Sequence, residues 1–254
     1  MLFLGLLINL DSSKERLQKS SEALKERNIK YCRVAAIDGR SSRIDEFPEY
    51  NDSAARKFMG RSLLGGEIGC FLSHLTCLKS FIESKQQYAA IFEDDIIISP
   101  SAVPIIEFAI KNHKKCELIS GNNWEVFSLC ASRLKIYTKY MYIGEHRIVQ
   151  SHYFPMRCTG LLWSREGAQS FVKEFEKIDA PYDVYLRRWV GIRDNALAVY
   201  PAVVTHADAG SDIASSIDRK RSRHDRAENY SIKRLKRVMA ENVRGYKLKF
   251  GFQK

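Results

Sequence analysis

Three consecutive carboxylates, Glu93, Asp94 and Asp95, interrupt the otherwise apolar stretch YAAIFEDDIIISP, Tyr88 to Pro100. A run this short, β-rich and apolar on both faces reads as a buried strand of a mostly parallel sheet. Unpaired carboxylates are costly inside a core, so the cluster belongs at the strand's end with a cation to bind. That carboxyl edge is where open α/β sheets take their ligands. In an extended chain Glu93 and Asp95 project to one side and Asp94 to the other. A pair of oxygen ligands on one side suits Mg²⁺ or Mn²⁺. A solvated acidic turn is the competing reading, and both stand.

Three other stretches carry chemistry-bearing side chains. In GGEIGCFLSHLTCLKSFIESK, Cys70, His74 and Cys77 fall at the i, i+4, i+7 spacing of a soft-metal site. Buried free cysteine is ordinary, however, and no fourth ligand is evident. Ser73-His74 is the better candidate for touching a ligand near the acidic strand, with a satisfied core histidine as the alternative. In DAPYDVYLRRWV, Pro181 near a helix start puts Asp183 in the first turn, at the positive end of the helix dipole. That environment keeps an aspartate ionised and suits a base, or equally an N-terminal cap. In THADAGSDI, His206, Asp208 and Asp212 follow an apolar segment, and His206 is a candidate third protein ligand for a metal.

The elements that must position these groups follow a strand–helix rhythm. LFLGLLINL (2–10) reads as a buried strand, and SSKERLQKSSEALKERN as an amphipathic helix, capped by Asp11 or Ser12 and stopped near Asn28. IKYCRVAAI (29–37) is a second strand, broken by the turn signal Asp38-Gly39. This is the start of a βαβ unit, with both strand ends at one edge. A short helix around 53–58, a buried helix over 65–85 and a helix over 102–112 follow. Short strands are expected at 116–119, 125–130, 134–138 and 159–164. Tyr137, Tyr140, Tyr142 and Tyr153 suit a hairpin surface or a sugar-stacking platform. A helix over 165–177 and a strand over 196–204, broken at Pro201, complete the body.

At 254 residues and 45% hydrophobic, the chain suits one domain or a domain with a tail. The apolar start lacks a basic n-region and a small-residue cleavage site, so it reads as a first strand and not a signal peptide. Six scattered cysteines with no CxxC pair read as reduced thiols in a cytoplasmic protein. Residues 219–254 hold thirteen Lys/Arg against three Asp/Glu, a net of +10, which leaves +1 of the total +11 for the rest. The division expected is a catalytic body over 1–218 and a basic tail over 219–254. Ile232, Leu235, Val238, Met239 and Val243 lie at near-helical spacing among basic residues. Such a helix lies on anionic lipid headgroups or docks, solvated, on the body. A nucleic-acid-binding protein is the competing class for a pI of about 9.3, but the charge is confined to one end and no nucleic-acid motif appears.

Several stretches together resemble glycosyltransferase family 25, the bacterial lipooligosaccharide galactosyltransferases, whose relatives include the collagen galactosyltransferases. They are INLDSSKER, RVAAIDGR, LLGGEIGCFLSHLTCLKSFIE, AAIFEDD and the SDI of GSDI, spanning residues 8–213. The resemblance implies an α/β, GT-A type, Rossmann-like fold that binds a nucleotide sugar, with an acidic DxD-type motif on Mn²⁺ or Mg²⁺. Glu93-Asp94-Asp95 takes the place of that motif, departing from it in having Glu first. Asn9, Asp38 and Gly39 match positions lining the nucleotide pocket, with Ser73 and His74 nearby, and Asp183 falls where an acceptor-side carboxylate is expected. The implied reaction moves galactose from UDP-galactose to a lipooligosaccharide and inverts the anomeric carbon. The implied place is the cytoplasmic face of the inner membrane, with the basic tail on the lipid.

Overall fold

Ala89, Ala90, Ile91 and Phe92 are all fully buried, which a strand achieves only when both faces of its sheet are covered. The computed structural model describes residues 2–113, 123–207 and 225–251. Among them an eight-stranded sheet runs in the order β2-β1-β3-β8-β5-β9-β7-β6. Its strands are β1 (Leu4–Asn9), β2 (Tyr31–Ala35), β3 (Tyr88–Phe92), β5 (Val126–Ser128), β6 (Tyr137–Ile143), β7 (His146–Ser151), β8 (Gly160–Ser164) and β9 (Ala196–Tyr200). β4 (Ile96–Ile98) and β10 (Val204–His206) pair antiparallel as a separate ribbon.

Six strands point the same way, and β8 and β7 are inserted against them. The expectation of a mostly parallel sheet therefore holds for strand direction but not for neighbours. Three pairings are parallel and four antiparallel. The β1–α1–β2 start is as expected, with α1 spanning Lys14–Glu26 and Asn28 closing it at a left-handed φ of 55°. Ser13, not Asp11 or Ser12, takes the N-cap position, without a side-chain cap bond.

Alternation along the strands divides the core in two. Leu6, Ile8, Ala89, Ile91, Leu161 and Trp163 face one side, where α3 (Gly65–Glu83), α5 (Arg165–Glu174) and α6 (Tyr182–Arg193) pack. Leu7, Ala90, Phe92 and Leu162 face the other, under α1 and α4 (Ala102–Lys111). Each large apolar side chain so buried contributes about 1.5–3 kcal/mol over leaving it exposed. α3 is the most enclosed helix, with Ile68, Phe71, Cys77, Leu78 and Phe81 all at 0% exposure. Its first turn is closed by Glu67, which accepts from the Leu64 N–H at 2.8 Å and pairs with Arg61.

Glycines explain why α3 sits where it does. A Cβ on Gly39 would run into the Gly65 carbonyl, and one on Gly69 into the carbonyl of Ile37. The segment after β2 therefore lies directly on the helix backbone, an approach only glycine permits.

The tyrosine-rich stretch is a hairpin, β6–β7, as one of the two expectations had it. α5 ends three residues earlier than expected, at Glu174. The strand at 116–119, the 218/219 boundary, Cys116, Asp208, Asp212 and the SDI of GSDI lie outside the described residues. The described part of the tail contains helix α7 (Tyr230–Lys249), preceded in the body by α2 (Asp52–Met59).

Candidate active site

The ends of β1, β2 and β3 meet at one edge, and a cleft with a volume of about 120 Å³ opens there. Asn9 closes β1, Ala36–Arg40 follow β2, and Glu93–Asp95 follow β3; Gly66, Cys70, Ser73 and His74 line the cleft from one face of α3. Every sequence-derived candidate for the nucleotide side and the acidic motif is thus in one place. Asp183 and His206 are not among the lining residues.

The three carboxylates differ sharply in what holds them. Asp94 accepts from Asn9 Nδ2 at 2.6 Å and from Arg16 Nη1 at 3.3 Å, and its backbone carbonyl accepts from Ser20 Oγ at 2.7 Å. It is a strut between α1 and the strand end. Glu93 lies 3.2 Å from Nε2 of His74, whose ring is completely buried. Asp95 has a buried Oδ1 with no hydrogen-bond partner. Burial, reinforced by the charge of Glu93, pushes the Asp95 carboxyl up to about 6. An orphaned carboxylate oxygen beside a second carboxylate fits a divalent cation, which would supply the charge that burial withholds.

The neighbours of this edge are set by the ribbon and by β8. Ala207 N–H donates to the Asp95 carbonyl at 2.7 Å, and His206 pairs in register with Ile96. His206 is therefore next to the acidic motif along the backbone, but among the described residues it is not in the group whose ligand atoms lie within 4.8 Å of one another. Its Nδ1 accepts from Arg157 Nη1 at 3.0 Å, so Arg157 is the cation His206 now serves. Arg157 sits at a left-handed φ of 75°, a strained position for a side-chain-bearing residue. Glu93 N–H is tied to Thr159 O at 3.1 Å, which fixes this loop against the motif.

Several candidates line the cleft yet have their polar atoms already engaged. Asn9 donates to Ser13 O and accepts from Arg33 Nε at 3.0 Å besides bonding Asp94. Ser73 Oγ accepts from the Ile37 N–H at 2.9 Å and donates to Gly69 O. These two residues shape the wall. Asp38 is gripped by Arg40, which holds its carboxyl below the usual range.

α6 starts at Tyr182 with Pro181 at its cap, and Asp183 lies in the first turn as expected. The helix dipole does not act alone on Asp183: burial raises its pKa, more than its bond from the Val184 N–H lowers it. Tyr182 stacks on His74 at 4.1 Å between ring centroids, which places Asp183 one residue from the cleft wall. Its charge acts together with that of Glu93 on Cys70 and Cys158, both raised by burial.

Cys70, His74 and Glu93 each offer a ligand atom, all within 4.8 Å of one another. The anticipated trio had Cys77 in place of Glu93; Cys77 is instead fully buried in the core. Sequence reading missed Arg16, Arg40 and Arg157. Arg16 and Arg40 stand inside motif stretches but look like ordinary solvated charges, and nothing in the sequence singles out Arg157.

A cleft at the carboxyl edge of an α/β/α sandwich, here ringed by carboxylates and arginines, is where open α/β sheets take their ligands. The family model described as "Glycosyltransferase family 25 (LPS biosynthesis protein)" matches residues 5–186, and the chain belongs to that family. It is 35% identical over 98 residues to procollagen galactosyltransferase 1-A of Xenopus laevis, covering 35% of this chain and 15% of that protein. It is 31% identical over 98 residues to a Rattus norvegicus protein named "Probable inactive glycosyltransferase 25 family member 3", covering 35% and 16%. The matches thus span about a sixth of those relatives' length. A crystal structure of a Drosophila β1,4-galactosyltransferase 7 with manganese, UDP-Gal and xylobiose aligns with a TM-score of 0.41 and 14% identity, over 92% of this chain and 80% of that one.

Proposed function

We propose that the protein is an inverting glycosyltransferase that moves galactose from UDP-galactose to a hydroxyl of a lipooligosaccharide acceptor, leaving a β-linkage. The observation that carries this reading is Asp95: a carboxylate with a buried, unpartnered oxygen, lining the cleft at the carboxyl edge of the sheet. Asp95 and Glu93, with His206 on the neighbouring strand as a candidate third ligand, would hold Mn²⁺ or Mg²⁺, which would supply Lewis-acid stabilisation of the charge on the departing diphosphate. The family's description as an LPS biosynthesis protein supports the acceptor class, and the procollagen galactosyltransferases among the relatives support galactose.

The chain's own residues do the rest. Asp38 and Gly39 after β2, with the α3 face behind them, bind and orient the nucleotide. Arg16 and Arg40 line the same cleft and bring positive charge to a diphosphate. The acceptor oxygen bonds to the anomeric carbon as the bond to the β-phosphate oxygen breaks, and the acceptor proton passes to a base. Asp183 is the base in this reading, its raised pKa making it a stronger proton acceptor than a surface aspartate. The reaction takes place at the cytoplasmic face of the inner membrane, where the acceptor is lipid-borne.

A catalytically silent member of the family is the second reading, favoured by the relative whose name calls it inactive. Titration calorimetry of UDP with Mn²⁺ and with EDTA, on the protein and on Asp95→Asn, followed by a transfer assay with UDP-galactose, separates the two. Metal-dependent UDP binding lost in Asp95→Asn, together with turnover, supports the transferase. Failure of folded protein to bind UDP under any condition overturns it, and binding without turnover on any acceptor favours the silent member.

A further inference from the structure

Helix α7 is docked the wrong way round for a helix that merely completes a core. Its inner face is polar: Lys233 Nζ donates to Arg56 O at 3.1 Å, and Arg237 lies over the Phe58 ring at 5.3 Å. Glu241 faces Arg187 at 3.8 Å, and Gly245 packs on the His152 carbonyl. Leu248 alone buries a large aliphatic side chain there. The opposite face carries Ile232, Leu235, Met239, Val243, Tyr246 and Phe250, each between 51% and 61% exposed. An amphipathic helix in a globular protein normally turns such a stripe inward. Here the apolar stripe faces out, and burial of α7 against the body leaves it uncovered.

The composition around the stripe says what covers it. Helix α7 holds seven Lys/Arg and one Glu. At 100° per residue, Lys236 and Lys247 fall on one shoulder of the stripe and Lys249 on the other. Tyr246 and Phe250 stack near its end, rings 6.4 Å apart, with the Lys249 ammonium 5.8 Å from the Phe250 centroid. Aromatic rings with cations beside them are the side chains that settle at a lipid headgroup boundary.

The stripe's period separates a membrane from a second helix. From Ile232 to Phe250 is 18 residues, five turns of an undistorted α-helix, so the stripe runs straight for about 27 Å. A coiled-coil partner requires a 3.5-residue repeat, and the seam position seven residues after Leu235 is the polar Asn242. A second copy of the same face would also set like-charged lysine shoulders against each other. A flat anionic surface meets neither objection. No described helix is long and apolar enough to cross a membrane, so the contact is one of lying on it.

We infer that the outer face of α7 is a membrane-docking surface: its six apolar side chains enter the headgroup–acyl boundary of an anionic lipid layer while its lysines engage the lipid phosphates. The catalytic cleft contributes nothing to this contact, and the inference does not depend on the transferase reading.

The test is co-sedimentation of the full chain with vesicles of phosphatidylglycerol and phosphatidylethanolamine, and with pure phosphatidylcholine vesicles, at low and high salt. Binding to the anionic vesicles, weakened by salt, is expected. Leu235→Glu/Met239→Glu, two exposed positions whose replacement leaves the fold intact, should lower the partition coefficient at least roughly tenfold. Lys236→Glu/Lys247→Glu should remove most of the preference for anionic over zwitterionic lipid. Circular dichroism confirms that each variant folds, and UDP affinity should be the same in all three proteins. Binding unaffected by Leu235→Glu/Met239→Glu overturns the assignment. So does a dimer in analytical ultracentrifugation that this variant converts to monomer, since a second copy would then be the occupant.

Discussion

Among the described residues, two histidine–carboxylate pairs, His152–Asp194 and His74–Glu93, have opposite designs. His152 Nδ1 lies 2.7 Å from Asp194 Oδ1; Nε2 meets Thr138 Oγ1 at 2.9 Å, and Gln150 donates to Asp194 Oδ2 at 2.9 Å. Both side chains are essentially excluded from solvent. That cluster is closed: it ties the β6–β7 hairpin to the end of α6, where Asp194 occupies a left-handed φ of 52°. His74 and Glu93 are 3.2 Å apart at the cleft, with Nδ1 of His74 unpartnered and Glu93 28% exposed. Next to them Asp95 keeps an unsatisfied oxygen. A satisfied buried network fixes structure, whereas groups left incomplete at an accessible edge are arranged for a ligand.

Asp95→Asn sharpens this contrast most. Transfer activity should fall on the order of 10³-fold or more, the several kcal/mol of a lost cation site. The metal-free protein should nevertheless become more stable above pH 6. The folded pKa of about 6 lies above the ordinary aspartate value of 3.8, so the folded state resists ionisation and loses stability as pH rises between those values. Asparagine removes that loss, worth roughly 2 kcal/mol and several degrees in Tm at pH 8, and nothing at pH 4. Thermal melts at the two pH values check the sign; equal or opposite shifts would mean that Asp95 is already compensated. By the same linkage Mn²⁺ should raise the Tm of the wild type at pH 8 and not at pH 4.

Asp183→Asn comes next. A loss of roughly 10²–10⁴-fold in kcat with UDP affinity unchanged is expected of a missing general base. Steady-state kinetics with calorimetry on the same variant decide it, and wild-type kcat would remove Asp183 from that role. His152→Ala should act in the opposite register: about 3 kcal/mol of stability lost, because Asp194 is left buried and unpaired, with UDP affinity intact in the folded fraction. Denaturant melts measure the first and calorimetry the second. If UDP binding fails while the protein is still folded, the closed pair is not merely structural. Gly69→Ala should have the smallest effect, about 1–3 kcal/mol from forcing α3 off the Ile37 carbonyl. Its signature would be a weakened UDP affinity accompanying the lower Tm, since the same contact forms the cleft wall.

Much of the candidate site was readable before any coordinates, for physical reasons that particular residues illustrate. The buried strand ending in Glu93–Asp95 could be recognised because continuous apolar runs and clustered charge are incompatible except at a strand's end. Asn9, Asp38 and Gly39 followed because successive parallel strands deliver their carboxyl ends to one edge. Roles within that edge were less readable. Asn9 and Ser73 look like ligand-binding side chains by type, yet their polar atoms are committed to Asp94 and to the Ile37 backbone. The environment of Asp183 was only half readable, because a helix dipole is visible in sequence and burial, which raises its pKa, is not.

The sequence by itself determined the period of each element, the two buried faces of the central strands and the gathering of acidic and polar residues at one rim. It also determined that α7 is amphipathic and basic. Only the tertiary structure decided that β8 and β7 run against the other strands, because antiparallel insertion leaves no mark on a fully apolar strand. Only it brought Arg157 and His206 together from 49 residues apart, and left one oxygen of Asp95 without a partner. It alone also turned the apolar stripe of α7 outward. Amphipathicity specifies that a helix has two faces; which face meets the body depends on what the body offers, and here it offers Phe58, Arg187 and the backbone carbonyl of Arg56.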